Sequence, residues 1–151
     1  IIRAPTSDLH RADPGDILHK TDPDGCCDLR KTQPLERALA GFDAWITGRK
    51  RHQSGHRAAL KPFEAEGGRI KINPLADWSA ADVRNHIETR NLPRHPLVAQ
   101  GYPSIGCLPC TSPVRLGEDP RSGRWRGRDK EECGIHFVDG KVVRGPVQKE
   151  A

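Results

Sequence analysis

Cys107-Leu108-Pro109-Cys110 spaces two thiols so that both can converge on one metal centre, and Cys26-Cys27 supplies a second, adjacent pair. Four thiolates complete a ligand set. Three chemistries fit that set. Zinc would take it as a tetrahedral structural site, although neighbouring residues point two sulfurs at one small ion only with difficulty. An iron–sulfur cluster offers separate irons as attachment points, which relaxes that geometry. The third reading is chemically inert: ordinary buried cysteines or a vicinal disulfide. The pattern alone leaves all three open. A fifth thiol, Cys133, follows Glu131 and Glu132 and precedes His136 by three residues. By itself it is a surface thiol or half of a Cys-x-x-His metal pair, for which no second pair is left.

Charge narrows the partner. The net charge is +5, which suits nucleic acid or a small polyanion. With one Tyr and three Phe, and no basic stretch interleaved with aromatics, base-stacking platforms are hard to assemble. A small anionic molecule is the better fit, and nucleic acid is disfavoured. For Arg49, Lys50, Arg51, Arg126 and Arg128 the sequence does not separate a binding role from solvated surface charge.

The elements that must carry these residues are sparse. Leu35, Ala38, Leu39, Phe42, Trp45 and Ile46 recur at helical spacing, with Pro34 suited to the first turn and Gly48 to the stop. This predicts an amphipathic helix ending near Thr47, with the cysteine pair just before or in its first turn. Residues 48–57 read as a basic polar loop. Ile70-Lys71-Ile72 reads as a short strand stopping at Pro74. Ser79 with Asp82 forms a capping box, and Trp78 with Val83 a hydrophobic staple, for a helix from Ala80 to about Thr89. Residues 91–128 form a long irregular segment rich in Pro and Gly, a kind that is usually functional. Around Asp139-Gly140, residues 136–143 read as a small hairpin.

A length of 151 residues bounds the chain to one domain. Only 34% of residues are hydrophobic and 30% are charged, so the core should be small, and a cofactor tying distant loops together would help hold it. The chain has no methionine and opens on Ile1-Ile2-Arg3, which reads as a fragment of a longer protein. No apolar run is long enough for a membrane span and no signal-peptide pattern opens the sequence. A reducing cytoplasm is the expected compartment, where cysteines serve metal or redox chemistry more often than disulfides.

Several segments together resemble one family. Cys26-Cys27-x-x-Arg30-Lys31 followed by Pro34-Leu35, and Cys107-x-x-Cys110, are similar to the cluster motifs of assimilatory adenylyl-sulfate reductases. So are Trp45-Ile46-Thr47-Gly48-Arg49, Gln53-Ser54, and Asn73-Pro74-Leu75 with Trp78 and Asp82-Val83. Glu132-Cys133-Gly134-Ile135-His136 resembles the family's C-terminal active-site motif, and all of these occur in the family's order over residues 26–136. The resemblance implies an α/β fold, the C-terminal part of a PP-loop domain, loop-rich around the cluster. The N-terminal nucleotide-binding half, with its Ser/Gly-rich phosphate loop, would be missing. One partial reductase domain would then occupy residues 1–151, with 129–151 a mobile segment carrying the catalytic cysteine; Gly134 and Gly140 motivate that mobility.

The resemblance further implies a [4Fe–4S] cluster on Cys26, Cys27, Cys107 and Cys110, and Cys133 as the nucleophile that attacks the sulfur of adenylyl sulfate. AMP would leave, and the S-sulfonated cysteine would be resolved by thioredoxin to release sulfite, in sulfate assimilation toward cysteine. Fixed cations should offset the repulsion between thiolate and sulfate ester. Lys31, Arg57, Arg121, Arg124 and His136 are the candidates. Relatives using the 3′-phosphorylated substrate commonly lack the four cysteines, so the resemblance favours adenylyl sulfate. The alternatives are a 3′-phosphoadenylyl-sulfate reductase and a non-enzymatic zinc module gripping nucleic acid through its basic loops.

Overall fold

The computed structural model describes residues 1–128 together with 130, 132, 137–138 and 141–142. These divide into two compact units.

The first unit holds residues 1–45 and 64–71 with the C-terminal strands. It opens on two short helices, α1 (Thr6–Ala12) and α2 (Leu18–Thr21). Asp13, buried between them, accepts the backbone N–H groups of Ile17 and Leu18 at 2.9 and 3.0 Å, so its carboxylate organises the start of α2. Helix α3 (Pro23–Cys27) begins conventionally, with Asp22 as cap accepting from Gly25 N–H at 2.9 Å and Pro23 in the first turn. It runs without interruption into a π-helical turn (Asp28–Thr32) and then α4 (Gln33–Leu39).

Pro34 explains the wide turn. Its ring has no N–H and conflicts with the carbonyl four residues back, so a helix that continues through it must open. The π turn does so, Gln33 N–H reaching back five residues to Asp28 O. Arg30 and Lys31 lie on this turn, and Arg30 ties it to the α1–α2 region through Asp13 at 2.8 Å and Asp16 at 2.7 Å.

The expected helix to Thr47 is wrong at its C-terminal end. The helix stops at Leu39, and Ala44–Ile46 form strand β1. Gly41 breaks the helical run, and Trp45-Ile46-Thr47 is an aromatic and β-branched sequence that favours extended backbone. Phe42 and Ile46 are 62% and 73% exposed, so the apolar spacing that suggested one buried helical face does not extend to them.

Strand β1 pairs with β3 (Arg69–Ile72), which in turn pairs with β2 (Phe63–Glu66). Ile70 N–H donates to Asp43 O and Thr47 N–H to Ile72 O, in the same sense along both strands, as parallel neighbours do. Between β2 and β3 the chain reverses over Gly67 and Gly68, both at positive φ, as a tight two-residue hairpin turn requires. The expected strand at residues 70–72 is therefore present; its partner β2 was not foreseen. Lys71, 2% exposed, pairs with Glu66 and lies 4.7 Å from the centre of the Trp45 ring. At the C-terminal end, β4 (Phe137–Val138) and β5 (Lys141–Val142) are antiparallel, Phe137 opposite Val142, as the hairpin reading expected. Its Asp139-Gly140 turn lies outside the described residues.

The second unit spans residues 46–63 and 72–131. Its centre is polar as well as apolar: Leu60, Ala76 and Trp125 are buried, and Asn73 is fully so. Asn73 donates from Nδ2 to Lys61 O at 2.8 Å, while its Oδ1 accepts from Thr47 Oγ1 and from Arg49 Nη2. One side chain thereby fastens three loop segments. Helix α5 (Ala80–Thr89) has the anticipated bounds and capping box, Ser79 Oγ accepting from Asp82 N–H at 3.1 Å and Asp82 Oδ2 from Ser79 N–H at 2.8 Å. Residues 91–128 are largely irregular, interrupted by 3₁₀ turns at Pro96–Gln100 and Leu108–Cys110. Among the described residues no helix is long and apolar enough to cross a membrane.

Candidate functional site

The four cysteines sit as two pairs in different units. Cys26 is half-buried and Cys27 buried at the C-terminal end of α3, where the π turn begins; Arg30 Nη1 donates to Cys26 Sγ at 3.8 Å. A cation facing the sulfur complements a metal-binding thiolate. Cys107 and Cys110 are half-buried at the two ends of the 3₁₀ turn, closed by Cys110 N–H to Cys107 O at 3.0 Å. All four are outside any disulfide. Among the described residues no three His, Cys, Asp or Glu side chains converge closely enough for a metal, so each unit supplies a pair of thiols. As a donor set, four reduced thiols held on short turns fit an iron–sulfur cluster.

Downstream of Cys110 the chain folds back on itself. Thr111 pairs with Arg124 as an isolated antiparallel bridge, Ser112 N–H donates to Gly123 O at 2.9 Å, and Trp125 N–H donates to Cys110 O at 3.0 Å. Thr111 Oγ1 donates to Cys107 O at 2.8 Å and accepts from Gly106 N–H at 3.1 Å. The Cys107–Cys110 turn and the Arg121–Trp125 segment are therefore one hydrogen-bonded piece. Its far end is fastened by Glu118, which accepts both Nη groups of Arg126 at 2.8–2.9 Å and the Arg115 N–H at 2.8 Å. The Arg126 hydrogen bonds, then the Arg115 N–H, pull the Glu118 carboxyl from its ordinary 4.5 to about 2.

This segment forms one wall of a cleft of about 490 Å³. His52, Gln53, Ser54 and Gly55 line it from the basic loop, and Asp119, Arg121, Ser122, Arg124, Trp125 and Lys130 from the return segment. Three cations face one carboxylate, and Asp119 itself accepts the Arg121 backbone N–H at 2.7 Å. Arg57 stands behind the loop, its guanidinium donating to Gln53 Oε1. Burial first, and then the Arg57 charge, lower the Lys50 ammonium from its ordinary value of 10.5. The cleft is a cationic environment suited to an oxyanion.

Of the expected cations, Arg121 and Arg124 line the cleft and Arg57 supports it. Lys31 is half-buried on the π turn of the other unit. Cys133 and His136 lie outside the described residues. Of the five basic residues that sequence left unresolved, Arg49 serves Asn73 and Thr47, Arg51 serves Leu60 O and Asp77, and Arg126 serves Glu118. Sequence reasoning missed Lys130, His52 and Trp125. The last carried a usable signal, an aromatic flanked by Arg124 and Arg126; it is buried, with φ at 50°, a backbone conformation rare for a bulky residue and frequent at functional sites.

Residues 3–113 match the family described as the phosphoadenosine phosphosulfate reductase domain, a span that includes both cysteine pairs. A protein named adenosine 5′-phosphosulfate reductase from Chelativorans sp. (strain BNC1) is 54% identical over 138 residues, covering 91% of this chain and 56% of that one. A protein named phosphoadenosine 5′-phosphosulfate reductase from Gloeobacter violaceus is 50% identical over 126 residues, covering 81% and 52%. The chain thus spans about half the length of the curated relatives it matches. Among solved structures, the phosphoadenylyl-sulfate reductase of Candida auris in a phosphate complex is similar at a TM-score of 0.57 and 34% identity, covering 72% of this chain and 52% of that one.

Proposed function

The chain belongs to the phosphoadenosine phosphosulfate reductase domain family, an α/β fold, and from that membership we propose that it is the cysteine-bearing portion of an adenylyl-sulfate reductase. The observation that carries the reading is the cationic cleft joined by hydrogen bonds to the Cys107–Cys110 turn. Relatives named for adenylyl sulfate at about half identity support the substrate. The Gloeobacter relative keeps a 3′-phosphoadenylyl-sulfate reductase as the second reading.

In the proposed chemistry the cleft cations hold sulfate and phosphate oxygens, Arg in particular through its planar fork. The Cys133 thiolate attacks the substrate sulfur. An S–S bond forms, the S–O bond to the phosphate breaks, and AMP departs with that electron pair. Charge grows on the leaving phosphate oxygens, where Arg121, Arg124 and Lys130 stabilise it. Residues 129–151 then carry the S-sulfonated Cys133 out to an external dithiol, for which thioredoxin is the proposed partner. The first thiolate of that dithiol attacks the Cys133 sulfur and expels sulfite with the bonding electrons. Its second thiol closes a disulfide and returns Cys133 to the thiol, so the dithiol supplies both electrons.

Cys26, Cys27, Cys107 and Cys110 would hold a [4Fe–4S] cluster. Bound there, it would tie its loops together and contribute to the local electrostatics. A reducing cytoplasm is the compartment such thiol chemistry needs.

Sulfite formation tests the reading, in protein extended to the full length of the relatives. Adenylyl sulfate should be turned over with thioredoxin, and 3′-phosphoadenylyl sulfate should compete poorly. Preferred turnover of the 3′-phosphorylated nucleotide would select the second reading, and turnover of neither would reject both.

A further inference from the structure

We propose that Gly106 is a positioning residue: the missing side chain at this position is the seat of the Arg124 guanidinium, and so sets where that cation stands in the cleft. The proposal rests on the reading of the cleft as an oxyanion site. A Cβ built on Gly106 would lie 2.4 Å from Arg124 Nε, 2.8 Å from Cζ and 2.9 Å from Nη2, and these are its three nearest neighbours. Real carbon contacts are never so short, so the guanidinium lies against bare backbone. Its Nε is buried there, and Nη1 donates to the adjacent Ile105 O at 3.2 Å. The guanidinium carbon lies 4.4 Å from the centre of the Trp125 ring. Backbone at 105–106 and the indole together fix a side chain that would otherwise carry four rotatable bonds.

This arrangement predicts an unusual substitution. Gly106 has no positive φ that would make alanine strained, and the first atoms a methyl would meet belong to the movable end of Arg124. The chain can therefore accept alanine by expelling the guanidinium. The fold is kept while the cation loses its place. Because Gly106 also donates its N–H to Thr111 Oγ1 and adjoins Cys107, the seat couples the cysteine turn to the cleft through ordinary backbone geometry.

The test is a double-mutant cycle on this chain with inorganic sulfate as the probe, read by titration calorimetry. Gly106→Ala should weaken sulfate binding by about ten-fold, the loss of one charge-assisted contact. Arg124→Lys should weaken it comparably. In the Arg124→Lys background, Gly106→Ala should add less than about two-fold, because the slender lysine needs no seat. Circular dichroism and melting temperature should be retained in all three variants. The proposal is overturned if Gly106→Ala binds sulfate as the wild type does while Arg124→Lys is weakened. It is equally overturned if Gly106→Ala acts with full strength in the Arg124→Lys background, or if it unfolds the chain. Wild-type and Arg124→Lys proteins binding sulfate equally would remove the cleft assignment along with the proposal. Normal sulfate results with no turnover of either nucleotide would leave the seat standing and remove the reductase reading alone.

Discussion

Arg121 and Arg124 face the cleft beside Lys130, and only groups placed where charge develops during the reaction accelerate it. In protein of the relatives' full length, Arg121→Ala or Arg124→Ala should lower kcat/KM by an amount equivalent to about 2–4 kcal/mol of transition-state stabilisation. Iron content should stay unchanged, and steady-state kinetics in which both variants match the wild type would make these arginines solvated surface charge. Glu118 is a different kind of residue, held at about 2 by Arg126 and the Arg115 N–H so that it fastens the segment carrying both arginines. A depressed carboxyl contributes stability that is fully present above its unfolded value of 4.5 and is lost as pH falls through about 2. Melting temperature should therefore fall more steeply for the wild type than for Glu118→Gln across that acid window; parallel curves would contradict the clamp. Arg121 and Arg124 were named from sequence because the chemistry that the resemblance implies calls for fixed cations, and both line the cleft. Arg126 was not separable from them, because only the fold shows that its fork is already occupied by Glu118.

Elements whose ends are written in side-chain chemistry were the legible ones. Helix α5 was found to the residue, since Ser79 and Asp82 satisfy each other's backbone donors and no tertiary contact is needed to see it. Ser79→Ala should cost about 1 kcal/mol of stability, measured by denaturant unfolding, while sulfate binding in the cleft is unchanged. The helix expected to reach Thr47 failed for the opposite reason. Leu35 to Ile46 has helical spacing, yet Gly41 and the extended pairing of β1 with β3 decide the outcome, and pairing is a long-range fact. Strand β2 escaped notice because Phe63-Glu-Ala-Glu has one large apolar residue and no alternation strong enough to read. Helices α1 and α2 are short and depend on Asp13, which caps α2 locally and meets Arg30 of the π turn across the sequence, not on a periodic apolar face.

At the scale of the whole molecule, few apolar side chains are buried among the described residues, and a chain so built gains from a bound cofactor. Anaerobically purified protein should be brown, with iron and inorganic sulfide in cluster stoichiometry; Cys107→Ser or Cys110→Ser should bleach and destabilise it. A colourless protein with stoichiometric zinc would favour the zinc module instead. The division of labour proposed for the five cysteines comes only from the family resemblance, because spacing admits zinc, iron or neither and a lone Cys133 admits almost anything. Intact mass separates the proposed nucleophile from the proposed ligands. Protein of the relatives' full length is mixed with adenylyl sulfate without reductant, alongside Cys133→Ser. One sulfonate is expected on the wild type and none on the variant, with the cluster's colour retained in both. A sulfonate still present on Cys133→Ser would place the nucleophile elsewhere and overturn the proposed mechanism.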